Sequence, residues 1–318
     1  MRVGQNPARF VEKVEQPANI TLAVVNCIPF VSGYYEQSLN VLKACLTSIH
    51  ENTPEAHDLM VFDNHSCKEV RQYLQEAYEQ GVIQYLILSD KNIGKIGAWN
   101  TMFGAAQGEY VVFSDGDILF QPGWLPASME LFKTFPNTGM VTARPFRTST
   151  QYSTATIDWA RDPKSEVVLE EGCLLDWETY WEHGRSIGVS ESKTREDYPK
   201  GIDYRLTRRG KVAYVGGGHF QFMAPHGLLK KIIPLPSDQP MRGERALDIA
   251  INELGHLRLN TEKAFVYHMG NRLPDSTSVV EVRKHRSVLQ NVLWLPGIRH
   301  ILLWLNNQIF RLYFFNVE

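Results

Sequence analysis

The feature that most constrains the fold is an alternation of apolar and amphipathic segments in the first part of the chain. Residues 20–28 (ITLAVVNCI) are apolar on both faces, which is typical of a strand buried in a parallel sheet. Residues 39–50 instead carry apolar side chains at helical spacing: Leu42, Cys45, Leu46 and Ile49. The same patterns predict strands at 20–28, 59–62, 82–88 and 110–113, and helices at 39–50, 69–80 and 95–106. This alternation predicts an α/β fold, with an open, mostly parallel sheet and helices on both faces.

Polar residues follow three of the predicted strands. Asp63 and Asn64 come after the second strand, Asn92 after the third, and Asp115-Gly116-Asp117 after the fourth. Ligands of open α/β sheets bind beyond the carboxyl ends of the strands. The sequence therefore predicts a functional site at this edge.

The segment Asp115-Gly116-Asp117 has the composition of a cation site. Residues i and i+2 of an extended chain face the same way, so Asp115 and Asp117 can point toward one ion. Gly116 allows a diphosphate to approach the backbone closely. Oxygen ligands suit Mg²⁺ or Mn²⁺, which commonly bridges substrate phosphates. A solvated turn is the alternative for such a segment, and its position at a strand end favours the cation site.

Each of the other two polar segments can either bind a ligand or serve only the local backbone structure. Asp63 and Asn64 can hydrogen-bond a nucleotide base or ribose, or they can close an Asx turn. Residues 92–100 lead into a helix whose N-terminus, assisted by Lys95, favours phosphate; the alternative is an ordinary glycine-assisted helix start.

Composition excludes some classes of function and location. A net charge of -2 and a pI near 6.6 argue against a nucleic-acid-binding protein. The four cysteines lie far apart without metal-ligand spacing, which predicts reduced thiols. Residues 1–16 lack the apolar core of a signal peptide, and no apolar run is long enough to span a membrane. We expect a cytoplasmic protein, with peripheral attachment to the inner face of the cell membrane as a further expectation from its C-terminus.

The pattern changes after residue 145. Residues 146–215 show weak periodicity, which predicts irregular insertions and lid segments. Order returns at 212–223, in a helix around 244–254 and in a strand at 264–268. We predict an N-terminal arm (1–18), a first subdomain (19–145), a second subdomain (146–275) and an amphipathic tail (276–318).

Several motifs of the first half occur together in the order of a known family. They are Pro29 after the first strand, VFDNHS (61–66), KNIGKIGAWN (91–100) and VVFSDGDILFQPGW (111–124). Over residues 19–145 the chain resembles family-2 glycosyltransferases of the GT-A fold. The resemblance implies a nucleotide-sugar-binding subdomain at 19–145 and an acceptor-binding and catalytic subdomain at 146–275, whose insertions lie on the acceptor side. The resemblance implies that Asp63 contacts the base, and that Asp115 and Asp117 serve ribose, diphosphate and metal. Trp99 stands where many relatives carry Arg, so a basic contact to the donor is either absent or supplied by Lys95.

The second half resembles the same family more diffusely. Residues 216–222 (GGGHFQF) look like the segment that lines the acceptor side of the sugar pocket. Residues 241–259 are similar to the stretch that holds the catalytic base, where Glu244 and Asp248 lie on one helical face and remain alternatives. Residues 266–270 look like the segment whose histidine, here His268, completes the metal site; the alternative is a hydrogen-bonded strand-end histidine.

These observations give one set of expected site residues. The catalytic candidates are Glu244 and Asp248, and the metal candidates are Asp115, Asp117 and His268. The donor-binding candidates are Pro29, Asp63, Asn92, Gly94, Lys95, Asn100, Asp115, Gly116 and Gly218.

The expected function is transfer of a sugar from a UDP- or GDP-sugar to an acceptor hydroxyl. The expected cofactor is a divalent cation, Mn²⁺ or Mg²⁺. The resemblance implies inversion and a place in glycan or glycolipid synthesis, with a glycan, lipid-linked or small-molecule acceptor. Two alternatives remain: a sugar-phosphate nucleotidylyltransferase, and a non-catalytic nucleotide-sugar-binding or scaffolding subunit. A nucleotidylyltransferase needs a Gly- and Arg-rich loop after the first strand, and residues 29–33 (PFVSG) do not provide one.

The C-terminal segment 283–317 is basic, aromatic and amphipathic. Such a segment predicts contact with a membrane surface. Packing on the catalytic domain or on a second subunit, as in a homo-oligomer, is an equal alternative.

Overall fold

A computed structural model describes residues 5–11, 13–237, 243–273 and 305. The strands are β1 (Ile20–Asn26), β2 (Asp58–Asn64), β3 (Tyr85–Ser89), β4 (Tyr110–Asp115), β5 (Ile118–Phe120), β6 (Thr138–Thr142), β7 (Val168–Gly172), β8 (Asp203–Arg208), β9 (Lys211–Val215), β10 (Gln221–Pro225), β11 (Leu257–Thr261) and β12 (Val266–His268). The helices are α1 (Ser38–Asn52), α2 (Lys68–Glu79), α3 (Gly94–Ala105), α4 (Trp124–Thr134), α5 (Thr154–Arg161), α6 (Trp177–Ser186), α7 (Glu191–Asp197), α8 (His226–Ile232) and α9 (Arg245–Glu253).

Ten strands form one sheet in the order β3-β2-β1-β4-β10-β6-β11-β9-β8-β7. The strands β3, β2, β1 and β4 are mutually parallel, as the sequence predicts. Strand β10 runs antiparallel between β4 and β6, and β6 is parallel to β11. Strands β9, β8 and β7 continue the sheet with antiparallel pairs. The predicted α/β fold with its parallel strands is confirmed, and antiparallel strands from the second half extend it.

Helices cover both faces of the sheet because successive strand residues point to opposite sides. On β1, Leu22 and Val24 pack in the core beneath α1, α2 and α4. Ala23 and Val25 pack in the core on the other face, beneath α3, α8 and α9. The parallel strands are therefore buried on both sides, which explains their uninterrupted apolar sequence.

The predicted helices and strands of the first 115 residues are confirmed to within a few residues. The segment 146–215 differs from the expectation of irregular structure, because α5, α6, α7, β7, β8 and β9 lie there. Strands β7 and β8 are half-exposed, and charged residues pair across them: Arg205 lies opposite Glu170, with Nη2 and Oε1 2.6 Å apart. Ion-paired edge strands lack the apolar alternation on which the prediction depended.

The predicted C-terminal tail lies outside the described residues, apart from Leu305. The expectation of membrane or subunit contact through 283–317 therefore stays a prediction. Among the residues that the structure describes, none of the helices has the length and apolar character needed to cross a bilayer.

Candidate active site

A cavity of about 370 Å³ lies beyond the carboxyl ends of β1, β2 and β4. The chain turns from β1 to β2 on one side and later to β4 on the other, and such a switch point opens a crevice at the sheet edge. Of the sequence-predicted residues, the following line the cavity: Asn64, Asn92, Gly94, Lys95, Asp115, Gly116 and Asp117. Six of the polar and aromatic lining residues belong to none of the predicted sites: Asn26, Cys27, Tyr34, Tyr35, Ser38 and Asn271.

Asp115 ends β4 and forms an ion pair with the first turn of α3. Its Oδ2 lies 2.7 Å from Nζ of Lys95, and both side chains are about one-fifth exposed at 24% and 21%. The Lys95 ammonium also lies 5.2 Å from the centre of the Phe113 ring and 5.7 Å from that of Trp99. The lysine therefore neutralises Asp115 at the mouth of the cavity and is held by aromatic faces.

Gly116 is required by the packing behind the two aspartates. A Cβ at this position would lie 3.0 Å from Cδ1 of Leu42 and 3.1 Å from the carbonyl oxygen of Val25. The Gly116 amide donates to that same carbonyl over 2.9 Å. The glycine thus lets the chain turn against β1, so that Asp115 and Asp117 both reach the cavity.

Asp117 faces His268 of β12. Its Oδ2 lies 3.3 Å from Nε2 of His268, while Oδ1 of Asp117 and Nδ1 of His268 are buried without a hydrogen-bond partner in the described structure. The short antiparallel pair of β5 and β12 sets this contact, and the Met269 amide donates to the Asp117 carbonyl over 2.8 Å. Burial raises the pKa of Asp117 to about 6, against the opposing effect of His268.

Two asparagines fix the loop before α3. The Asn64 amide donates to Oδ1 of Asn92 over 2.9 Å, and the Asn64 Oδ1 accepts from the Ile93 amide over 2.9 Å. The Oδ1 of Asn92 also accepts from the amide of Gly94 over 2.9 Å. Gly94 has a φ of 71°, a conformation that favours glycine. The asparagines therefore position Lys95 and hold the start of α3 at the cavity.

Asp63 is fully buried and is not among the described residues that line the cavity. Its Oδ1 accepts from the Asn26 amide group over 2.9 Å, and its Oδ2 accepts from Nε of Arg71 over 3.1 Å. Oδ2 is also 3.2 Å from the amide of Ser66. In this arrangement Asp63 holds the loop after β2, so its direct contact with a base stays a prediction.

Pro29, Asn100 and Gly218 also lie outside the described cavity lining. The Asn100 side chain exchanges two hydrogen bonds with the backbone of Leu235, over 2.8 and 2.9 Å. The Gly218 amide donates to Oγ1 of Thr142 over 2.8 Å. Asn100 therefore ties α3 to the segment after α8, which is a structural role that its motif did not indicate.

The two candidate bases lie at the start of α9 in different surroundings. Glu244 precedes the helix and is half-buried. Asp248 is 4% exposed, with Oδ1 2.8 Å from Nε2 of His219 and 2.5 Å from Nη2 of Arg258. The predicted i, i+4 relation is present, but only Asp248 belongs to a buried polar cluster. His219 lies within the segment 216–222 and Arg258 within 241–259, but the sequence singled out neither residue as part of a site.

Among the described residues, no group of three or more His, Cys, Asp or Glu side chains is arranged to hold a metal ion. Asp117 and His268 are in contact, whereas the Asp115 carboxylate is paired with Lys95. A three-residue metal site therefore stays a prediction.

Comparison with known proteins finds a family model and a curated relative that match part of the chain. The model of glycosyl transferase family 2 matches residues 30–179. A curated relative, an uncharacterized glycosyltransferase from Nostoc sp. (strain PCC 7120 / SAG 25.82 / UTEX 2576), is 28% identical over 100 residues, which are 31% of each chain.

Solved structures with a similar fold include the mannosyltransferase PcManGT from Pyrobaculum calidifontis, in complex with GDP-Man and Mn²⁺. It is 16% identical with a TM-score of 0.46, over 80% of this chain and 60% of that one. The S. aureus TarS structure is 13% identical with a TM-score of 0.46, over 78% of this chain and 60% of that one. The chain spans less than two thirds of the length of each of these three proteins. Over residues 30–179, this chain is similar to glycosyl transferase family 2.

Proposed function

We propose that this protein is a glycosyltransferase that uses a divalent cation and a nucleoside-diphospho-sugar donor. The observation that carries the proposal is the pair Asp115 and Asp117 at the end of the central strand β4, both lining one cavity of about 370 Å³. A cavity of this size at a topological switch point is suited to a nucleotide-sized ligand. The match of residues 30–179 to the model of glycosyl transferase family 2 supports the same activity.

The residues at the cavity fit a divalent cation. Asp117 keeps one buried carboxylate oxygen without a hydrogen-bond partner, and its other oxygen faces the imidazole of His268. Carboxylate oxygens with one imidazole nitrogen form a donor set that Mn²⁺ accepts, and Mg²⁺ is suited to the carboxylates. Asp115, Asp117 and His268 would hold the ion. When bound, the cation supplies positive charge for the departing diphosphate.

The chain's own residues supply the remaining interactions of the proposed donor site. The ammonium group of Lys95 pairs with Asp115 and can exchange that carboxylate for a phosphate of the donor. The N-terminus of α3, whose position is fixed by Asn64 and Asn92, favours negative charge. Tyr34 and Tyr35 line the opposite wall and provide aromatic surface for a base or a sugar.

Transfer also needs a proton acceptor for the attacking hydroxyl, for which the acids at the start of α9 are the candidates. Glu244 and Asp248 lie within one turn of each other. We further propose an inverting reaction in glycan or glycolipid synthesis, with a UDP- or GDP-sugar donor and a glycan, lipid-linked or small-molecule acceptor. The family resemblance supports these finer assignments.

The deciding experiment is thermal unfolding of the full chain with UDP, GDP, dTDP and CDP, each with Mn²⁺ and with EDTA. A ligand at about 100 times its Kd stabilises the folded state by about 2.7 kcal/mol. We expect one nucleotide to raise Tm only with the metal, and Asp117→Ala to abolish the rise. Asp158→Asn is the matched control, since it removes an exposed carboxylate from α5.

The same experiment separates the alternatives. No metal-dependent rise with any of the four nucleotides would refute the proposed donor site. A rise without release of nucleoside diphosphate from the matching UDP- or GDP-sugars, in the presence of acceptor mixtures, would favour the scaffolding subunit. Formation of a nucleotide-sugar from a sugar phosphate and a nucleoside triphosphate would favour the nucleotidylyltransferase.

A further inference from the structure

Three polar side chains form one cluster outside the described lining of the donor cavity: His219, Asp248 and Arg258. Arg258 is fully buried, and its Nη2 lies 2.5 Å from Oδ1 of Asp248. The same oxygen lies 2.8 Å from Nε2 of His219. Asp248 is 4% exposed, whereas the His219 side chain is 26% exposed. Of the carboxylate and the imidazole, His219 is therefore the group that a substrate can reach.

The backbone places His219 close to Asp115 in the sheet. Strand β10 runs antiparallel to β4, and the Asp115 amide donates to the carbonyl of Phe220 over 2.8 Å. His219 is the residue immediately before Phe220. Its ring centre lies 6.1 Å from the Trp99 indole, over which Lys95 also stands. The imidazole and the ammonium group that pairs with Asp115 thus share one buried aromatic residue.

Asp248 is poorly placed to accept a proton from a substrate. Its Oδ1 already interacts with both a guanidinium and an imidazole, and loss of charge on Asp248 would leave Arg258 buried without its counter-ion. An ionised carboxylate only accepts hydrogen bonds, so the hydrogen in the contact with His219 belongs to Nε2. The Nδ1 of His219 then carries the lone pair, in the tautomer set by its carboxylate partner.

We propose that His219 is the proton acceptor of the transfer reaction and that Asp248, held by Arg258, is its positioning residue. This inference rests on the proposed function. As the acceptor oxygen bonds to the anomeric carbon, the bond from that carbon to the diphosphate oxygen breaks, and its electron pair leaves with the diphosphate. The hydroxyl proton passes to Nδ1 of His219, and the imidazolium is stabilised by the Asp248 carboxylate.

The first test is the tautomer of His219, which needs no substrate. Nitrogen-15 NMR of histidine-labelled full-length protein, with the signal assigned through His219→Gln, should show neutral His219 protonated at Nε2. Asp248→Asn should weaken that preference, because a side-chain amide can both donate and accept. Protonation at Nδ1 in the wild type would overturn the proposal.

The second test is turnover, measured as nucleoside diphosphate released from a panel of UDP- and GDP-sugars with water and simple sugars as acceptors. His219→Ala should lower kcat by about 10²- to 10⁴-fold, the usual contribution of a general base. Its Kd for the nucleotide with Mn²⁺ should stay within about 2-fold of the wild type, since the metal and phosphate contacts lie elsewhere. Added imidazole should restore part of the rate to His219→Ala. The matched control is His50→Gln, which changes an exposed histidine at the end of α1.

The outcomes distinguish this inference from the function on which it rests. Normal turnover in His219→Ala, with collapse in Glu244→Gln, would assign the base to Glu244 and leave the glycosyltransferase proposal intact. Unchanged turnover in both would overturn the assignment to His219 as well. A wild type that neither binds a nucleotide nor turns over any donor would refute the proposed function, and the role of His219 with it.

Discussion

Asp117 carries a charge that the metal-free fold does not fully compensate. One of its carboxylate oxygens is buried without a hydrogen-bond partner in the described structure, and burial raises the pKa of Asp117 to about 6. The substitution Asp117→Asn keeps the shape of the side chain and removes the charge. We therefore expect this variant to be more stable than the wild type in EDTA at pH 7.5, while losing the response to metal and nucleotide.

The pKa determines both the size and the pH range of the effect. The carboxyl group of Asp117 ionises near 3.8 in the unfolded chain and at about 6 in the folded one, so between these values the folded state binds more protons. Stability from this group is therefore present below about pH 4 and is lost as the pH rises to about 6. At about 1.4 kcal/mol per pKa unit, the full difference is about 3 kcal/mol. Because the side chain is 30% exposed, solvent screening reduces this to about 1–2 kcal/mol.

The assay is thermal unfolding in EDTA at pH 7.5 and pH 4, on the wild type, Asp117→Asn and the exposed-charge control Asp158→Asn. A change of 1–2 kcal/mol corresponds to a rise in Tm of about 2–8 °C for a chain of this size. The rise should become much smaller at pH 4, where Asp117 is protonated in the folded state and only about half ionised in the unfolded chain. An Asp117→Asn variant that is no more stable than the wild type at pH 7.5 would refute the reasoning. So would a gain that persists undiminished at pH 4.

Three further substitutions separate structural from ligand-binding roles. Asn100→Ala should lower the free energy of unfolding by about 1–3 kcal/mol, because its two hydrogen bonds to Leu235 are lost. The nucleotide Kd, measured by calorimetry, should not change. A higher Kd would support the predicted donor-binding role of Asn100. Trp99→Ala should cost about 3–5 kcal/mol by denaturant unfolding, because this fully buried side chain packs against several aromatic rings. Lys95→Met should change Tm little and raise the nucleotide Kd about 10-fold, since its pair with Asp115 is partly exposed while a phosphate contact is charge-assisted; an unchanged Kd would exclude Lys95 from the donor site.

The first half of the fold follows from local sequence. A strand such as β1 is apolar on both faces because both are covered by helices, and the run of Leu42, Cys45, Leu46 and Ile49 is buried as its spacing predicts. Polar residues after such strands fall at one sheet edge by geometry alone. This explains why the aspartates of 115–117 and the loop before α3 could be placed at one cavity from the sequence.

The second half was less predictable because its order comes from contacts between distant segments. The strands β7 and β8 are held by cross-strand pairs such as Arg205 with Glu170, so they lack a periodic apolar signal. Asn100 matches a family motif, yet its side chain binds the backbone of Leu235, which is 135 residues away in sequence. Neither contact could be inferred from residue spacing.

The two aspartates of the 115–117 segment are not equivalent in the metal-free protein. Asp115 is neutralised by Lys95, whereas Asp117 faces only the imidazole of His268 and keeps a buried oxygen without a partner. A cation bound between the carboxylates would compensate the charge of Asp117 and weaken the hold of Asp115 on the lysine. The ammonium of Lys95 would then be available to a donor phosphate. We therefore expect metal and nucleotide to bind with positive cooperativity. Lys95→Met should reduce that coupling while binding Mn²⁺ by itself at least as tightly as the wild type.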